Sequence, residues 1–105
     1  MSDSIQTLTE RIRAFSDARG WYKDGRVTKR GLAISLSLEA AELLEHFQWV
    51  PEEQIEALVQ EKRQDLIDEA ADVAIYLLQF ADRVGFDLGH AIEEKMKKNA
   101  QKYPV

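Results

Sequence analysis

Two pairs of acidic residues carry the side chains best suited to chemistry in this sequence. Glu39 and Glu42 form the first pair, and Glu69 and Asp72 form the second. Residues three positions apart on an α-helix lie on one face, with a rise of about 4.5 Å between them. If both segments are helical and face each other, four carboxylates converge.

Such a cluster favours a divalent metal site. Converging carboxylates repel each other at neutral pH unless they are paired or bind a cation. Bases are scarce here, because the segment from Glu39 to Asp72 holds eleven carboxylates and only two basic residues. An all-oxygen donor set favours Mg²⁺, with Mn²⁺ as a substitute, over Zn²⁺ or copper. The predicted metal ligands are Glu39, Glu42, Glu69 and Asp72.

Two other interpretations of these acids stay open. A Glu-x-x-Glu pair on one helix often faces solvent, so an acidic surface is the simplest interpretation of either pair. Non-haem di-iron bundles also build carboxylate cages, but they need Glu-x-x-His on two helices. Leu43 precedes His46 by three residues and Asp87 precedes His90 by three, so the sequence lacks that motif. Neither histidine receives a role from the sequence.

Hydrophobic residues at three- and four-residue steps predict that these acids lie on helices. Polar residues precede the periodic segments, and Gly20, Pro51 and Gly85 follow three of them, which sets the predicted starts and stops. No segment has the alternation of a strand. The sequence therefore predicts an all-α, four-helix-bundle-like fold completed by oligomerisation. The predicted helices cover about residues 5–19, 30–49, 52–60, 61–84 and 88–103.

The second predicted helix is apolar around most of its circumference, which is typical of a buried helix. At about 100° per residue, Glu39 and Glu42 share a narrow arc with Ser35 and His46. Both glutamates are therefore expected inside the protein. If the helix extends to Trp49, as predicted, the indole ring of Trp49 lies at the edge of the same arc.

The third long helix repeats the arrangement. Glu69 and Asp72 share an arc with Asp65 and Tyr76. An apolar stripe is predicted on the opposite side of this helix, and it consists of Leu66, Ala70, Val73, Leu77 and Phe80. We therefore expect one face of each long helix to carry acids toward a shared site.

Length and composition limit the class of protein. A chain of 105 residues is too short for two cores, which predicts one domain over residues 1–105. A net charge of −5 argues against nucleic acid as a partner. The sequence has neither a long apolar segment nor a signal-peptide pattern, so a cytoplasmic location without membrane contact is expected. Without cysteine, stability must come from packing or association, which favours a homo-oligomer.

Three segments resemble one family. Residues 37–49 and 68–77 are similar to the MazG-like all-α nucleotide pyrophosphohydrolases, especially to the short dCTP pyrophosphatase-type members. Residues 95–104 resemble the closing segment of that family, with an asparagine and a basic residue before Tyr-Pro. The resemblance extends from about residue 10 to the end. The family signature, Glu-x-x-Glu followed by Glu-x-x-Asp, is met by Glu39, Glu42, Glu69 and Asp72.

The resemblance implies a Mg²⁺-dependent hydrolase that acts in house-cleaning of the nucleotide pool. It would cleave a (deoxy)nucleoside triphosphate, with dCTP as the first choice, between the α and β phosphates to a monophosphate and pyrophosphate. The implied assembly is a dimer or a dimer of dimers. The four acids would be both catalytic residues and metal ligands, and which of them acts as a base stays open. A non-catalytic helical module, whose acidic groove docks a basic partner helix, is the alternative.

The same resemblance gives the basic end of the chain a role in substrate binding. The side chains at three- and four-residue steps on the last helix would meet the leaving pyrophosphate, and Tyr103 would reinforce them. This basic face consists of Lys95, Lys98, Asn99 and Lys102.

The remaining predicted substrate contacts are aromatic or basic. Trp49 is the first candidate for stacking on the base, and Tyr76 is a weaker one. Phe15, Trp21 and Phe47 are further weak candidates. Many relatives carry a His-x-Pro-basic-Asn stretch before the second helix, of which Arg30 keeps the basic position while glycine replaces the asparagine.

Overall fold

The structure is a computed structural model that describes residues 2–105. Helices make up its regular structure, and no strand occurs within that range, so the all-α prediction is confirmed. Short 3₁₀ turns precede α2 and α3. The helices are α1 (Ile5–Ala18), α2 (Lys29–Glu45), α3 (Ile55–Glu61), α4 (Arg63–Val84) and α5 (Leu88–Lys102).

Side-chain caps fix the starts of three helices. Ser4, Thr28 and Asp87 each accept a hydrogen bond from the backbone N–H three residues further on, at 3.1, 2.9 and 3.0 Å. Each bond satisfies one of the amide groups that a helix leaves unpaired at its first turn. The predicted starts of α1 and α5 are confirmed.

Glycines in the left-handed region follow two helices. Gly20 has φ +65° beyond α1, and Gly85 has φ +96° beyond α4. An L side chain is strained at such angles, whereas glycine is not. The predicted stops at Gly20 and Gly85 are confirmed.

The end of α2 differs from the prediction by four residues. The helix ends at Glu45, and the chain continues in tight turns in which the amides of His46 and Phe47 bond to carbonyls three residues back, at 3.3 and 2.9 Å. Such bonds tighten and close a helix. Trp49 therefore lies outside α2, and its predicted position on the helical wheel was wrong.

The chain divides into two compact units. One comprises the residues up to Val27 together with Leu78–Val105, and the other comprises Thr28–Leu77. α4 is continuous and contributes residues to both. All four predicted metal ligands belong to the second unit.

A small polar core organises the first unit. Ser16 is fully buried, accepts a hydrogen bond from Gln79 Nε2 at 3.1 Å and donates one to the carbonyl of Ile12 at 2.9 Å. Ala81 is also buried. Arg13 Nε donates to Asp82 Oδ1 at 2.9 Å, which ties α1 to the last turns of α4. The unit is therefore held by specific polar contacts as well as by apolar packing.

In the second unit, only one face of each long helix is shielded from solvent. Leu32 on α2 is buried at 2% exposure, but Ile34, Leu38 and Leu44 on the other side are 54%, 60% and 55% exposed. The prediction that α2 is buried all round was therefore wrong for the single chain, because too few elements surround it. No helix within residues 2–105 is long and apolar enough to cross a membrane.

The apolar stripe of α4 also lies elsewhere than predicted. Leu66, Val73 and Leu77 are half-buried beside Glu69 instead of opposite it. At about 100° per residue these three positions fall within roughly 80° of Glu69, so they share its face. The outer face of α4 includes Ile67 and is exposed.

Candidate active site

Three of the four predicted metal ligands lie together. Glu39 on α2 and Glu69 and Asp72 on α4 each offer one carboxylate oxygen, and these oxygens all lie within 4.8 Å of one another. One helix supplies the first acid, and the next long helix supplies two acids one turn apart. This acid cluster, which consists of Glu39, Glu69 and Asp72, is the candidate active site.

Two oxygen atoms of the cluster lack any partner. Oε2 of Glu39 and Oε2 of Glu69 are buried and accept no hydrogen bond within residues 2–105. A buried carboxylate oxygen without a partner is costly unless a cation or a donor satisfies it. Oxygen-only donors of this kind suit Mg²⁺ or Mn²⁺, so the residues present fit the predicted ion.

Glu42, the fourth predicted ligand, is exposed. Its carboxyl is nevertheless near enough to Glu39 and Glu69 to influence the ionisation of both. The expectation that both glutamates of α2 are inside was therefore wrong for Glu42. It lies at the solvent side of the acid cluster.

Burial and crowding perturb the two inner carboxyls. The pKa of Glu39 is raised, first because burial disfavours its charged form and then because Glu42, Asp72 and Glu69 are acidic neighbours. The pKa of Glu69 is also raised, first by burial and then by Glu42, while His46 acts in the opposite direction. The cluster therefore holds protons more tightly than ordinary glutamates do.

His46 is a neighbour of the cluster that sequence reasoning missed. Its Nε2 lies 3.9 Å from Oε1 of Glu69, and the two side chains are 22% and 23% exposed. The signal was present in the sequence, because the helical wheel already placed His46 in the arc of Glu39 and Glu42.

The predicted substrate contacts Trp49, Tyr76 and Arg30 of the second unit lie on different parts of the chain. Trp49 is 85% exposed in the turn after α2, Tyr76 is half-buried on α4, and Arg30 is exposed in the first turn of α2. The weaker candidates Phe15 and Trp21 pack edge to face in the first unit, with ring centroids 5.6 Å apart.

The predicted phosphate-binding residues occupy α5 and the residue after it, in the first unit. All five are exposed, and Lys102 Nζ lies 5.4 Å from the centre of the Tyr103 ring. They form a basic strip with an aromatic end. Its members are Lys95, Lys98, Asn99, Lys102 and Tyr103.

Known proteins are similar to this chain in sequence or in structure. The model of the MazG-like family matches residues 34–105. The dCTP pyrophosphatase 1 of Bos taurus is 40% identical over 93 residues, and that of Homo sapiens is 36% identical over 93 residues. The match covers 87% of this chain and 54% of each relative. This chain thus spans about half the length of the relatives it matches.

A solved structure matches over almost its full length. The crystal structure of a pyrophosphatase from Archaeoglobus fulgidus aligns with a TM-score of 0.88 and 37% sequence identity, covering 100% of this chain and 96% of that one. The helices of this chain thus adopt the all-α fold of that pyrophosphatase structure. The chain belongs to the MazG-like family, so the resemblance seen in the sequence is confirmed.

Proposed function

We propose that the protein is a Mg²⁺-dependent nucleoside triphosphate pyrophosphohydrolase. It hydrolyses a (deoxy)nucleoside triphosphate, with dCTP preferred, between the α and β phosphates and releases the monophosphate and pyrophosphate. The observation that carries this proposal is the pair of buried, unpartnered oxygens on Glu39 and Glu69, beside Asp72. The relatives named dCTP pyrophosphatase support the choice of substrate.

In this mechanism Glu39, Glu42, Glu69 and Asp72 hold the cation. Mg²⁺ bound there would neutralise phosphate charge and make water more acidic. One of these four carboxylates acts instead as the general base that orients the attacking water.

The substrate contacts complete the proposal. The exposed ring of Trp49 stacks on the nucleobase, and Tyr76 is the weaker candidate for this contact. Arg30 and the basic strip of α5 bind phosphate oxygens through charge-assisted hydrogen bonds. The strip contributes Lys95, Lys98, Asn99, Lys102 and Tyr103.

We further propose that a second copy of the chain covers the outer faces of the second unit, in a dimer or a dimer of dimers. The exposed apolar side chains on the outer faces of α2 and α4 support this, because their contact with water is unfavourable. One domain per chain and a cytoplasmic location complete the proposal. These outer faces consist of Ala33, Ile34, Leu38, Ala40, Ala41 and Leu44 on α2 and Ile67, Ala70, Ala71, Ala74 and Ile75 on α4.

A nucleotide panel tests the activity. With Mg²⁺, the protein should convert a dNTP into monophosphate and pyrophosphate, and excess EDTA should abolish the reaction. Glu42→Gln and Asp72→Asn should each lower the rate by on the order of 100-fold or more, because each removes negative charge that holds the cation. Separation of the products by ion-exchange chromatography identifies the bond that is cleaved.

Matched controls lie next to the targets. Glu45→Gln alters an exposed acid on α2 near Glu42, and Asp68→Asn alters an exposed acid on α4 near Asp72. Both should keep wild-type rates. If the folded protein releases no pyrophosphate from any nucleotide, the binding-module alternative replaces this proposal.

A further inference from the structure

His46 is the neighbour of the acid cluster to which the proposed function gives no task. It follows α2 directly, and its backbone N–H bonds to the carbonyls of Leu43 and Leu44. Its φ of −64° and ψ of −26° are still helical. Because the main chain is held in this way, the side chain of His46 leaves it on the face of α2 that carries Glu39.

The imidazole lies against one oxygen of Glu69 while the other oxygen stays free. Nε2 is 3.9 Å from Oε1, and Oε2 is buried without a partner. An N–H···O hydrogen bond is about 2.9–3.0 Å long, so the two atoms must approach each other by about 1 Å to form one. A bond to Oε1 would restrain the carboxylate and leave Oε2 available to a cation.

We infer that His46 is a positioning residue of the metal site: its imidazole donates Nε2–H to Glu69 Oε1 and so holds the carboxylate with Oε2 free to bind the cation. This inference rests on the proposed function, because it assumes that the cluster binds a divalent ion. A group that orients a metal ligand typically contributes 10- to 100-fold to metal affinity.

Mn²⁺ binding without nucleotide tests this role independently of turnover. The EPR signal of free Mn²⁺, followed during titration of chelator-treated protein, gives the affinity. His46→Leu removes the donor and should weaken binding by about 10-fold or more. His46→Gln keeps an N–H donor at similar reach and should bind nearly as wild type does. His90→Leu is the matched control, because His90 is an exposed histidine on α5.

The outcomes separate this inference from the proposed function. If wild type binds Mn²⁺ and hydrolyses nucleotide but His46→Leu binds equally well, the positioning role is wrong and the proposed function stands. If His46→Leu and His46→Gln weaken Mn²⁺ binding equally, the positioning role is also contradicted. Nitrogen coupling to bound Mn²⁺ in pulsed EPR would contradict it too, because His46 would then be a direct ligand. If wild type binds no Mn²⁺, the proposed metal site itself fails. Should His46→Leu unfold, as judged by circular dichroism, His46→Ala takes its place.

Discussion

Glu39 and Glu69 set the chemistry at the scale of single residues. Within residues 2–105, each keeps one carboxylate oxygen buried and unpartnered, and each has a raised pKa whose main cause is burial. Buried groups of this kind are uncommon outside functional sites, because they reduce the stability of the fold. The same property that prepares the site for a cation should therefore make the metal-free protein sensitive to pH.

Glu39→Gln is expected to stabilise the metal-free protein, and to do so more strongly as the pH rises. The pKa of Glu39 in the folded state lies above its ordinary value of 4.5, so the folded state binds this proton more tightly than the unfolded state does. That contribution to the free energy of unfolding is present below pH 4.5 and is lost as the pH rises through the raised pKa. Glutamine mimics the protonated form at every pH. Urea unfolding in EDTA at a series of pH values measures the difference between variant and wild type.

The matched control is Glu45→Gln, which changes an exposed glutamate on the same helix. Mg²⁺ should stabilise wild type more than Glu39→Gln, since only wild type keeps the full set of charges for the ion. A stability difference between Glu39→Gln and wild type that shrinks with rising pH would contradict the raised pKa.

At the scale of elements, α2 contributes to both the proposed metal site and the proposed interface with a second copy. One face carries Leu32 and Glu39 toward the interior of the second unit, and the opposite face carries Leu38 into solvent. The start of this helix depends on Thr28, whose hydroxyl accepts the Gly31 N–H at 2.9 Å. The geometry of the acid cluster therefore depends on a helix anchored by one side chain at its first turn.

Thr28→Ala should destabilise the protein by about 1 kcal/mol, because the Gly31 amide loses its partner. For a chain of this size that corresponds to a fall in Tm of about 4–8 °C. Thr28→Ser keeps an acceptor oxygen and should restore most of the loss. Thermal unfolding followed by circular dichroism measures both variants. A single transition in each is expected if the chain is one domain, and two transitions would contradict that proposal.

Features that depend on neighbouring residues along the chain were predicted correctly from the sequence. Ser4 and Asp87 cap their helices, Gly20 and Gly85 follow theirs, and acids spaced for one face lie on one face. These features depend on neighbours a few residues away, so the spacing of residue types is enough to predict them.

The features that were predicted wrongly, or missed, depend on tertiary packing. The position of Trp49 was extrapolated along a helix that ends at Glu45, where bonds to carbonyls three residues back end the α-helical geometry. The wheel could not tell that Glu42 faces solvent while Glu39 is half-buried, because that difference depends on which helix lies opposite. His46 was in the correct arc, but its proximity to Glu69 is a contact between residues 23 positions apart in the sequence.

At the scale of the whole molecule, exposed apolar surface is the dominant feature. The outer face of α2 has no charged side chain from Ala33 to Ala41, and Leu38 is 60% exposed in the single chain. Isolated exposed leucines are ordinary, but a continuous apolar helix face favours association. The proposed second copy would bury this face.

Leu38→Lys is expected to dissociate the oligomer, because it places a charge in the proposed interface. Size-exclusion chromatography with light scattering should report a smaller species than wild type, and circular dichroism should show that the helices remain. Leu38→Met preserves apolar volume and should keep the wild-type mass. If wild type is monomeric at every concentration tested, or if Leu38→Lys keeps the wild-type mass, this face is not the interface.

The exposure of Trp49 has a practical consequence. An indole that is 85% open to water emits at longer wavelength than one in apolar surroundings, so covering it shifts its fluorescence toward the blue. A nucleobase stacked on this ring would change this emission on titration with nucleotide, chiefly by quenching it. Trp21, the second tryptophan, is 41% exposed, so the change is assigned to Trp49 by measuring it in Trp21→Phe. The protein thus carries an intrinsic optical reporter within a few residues of the helix that supplies Glu39.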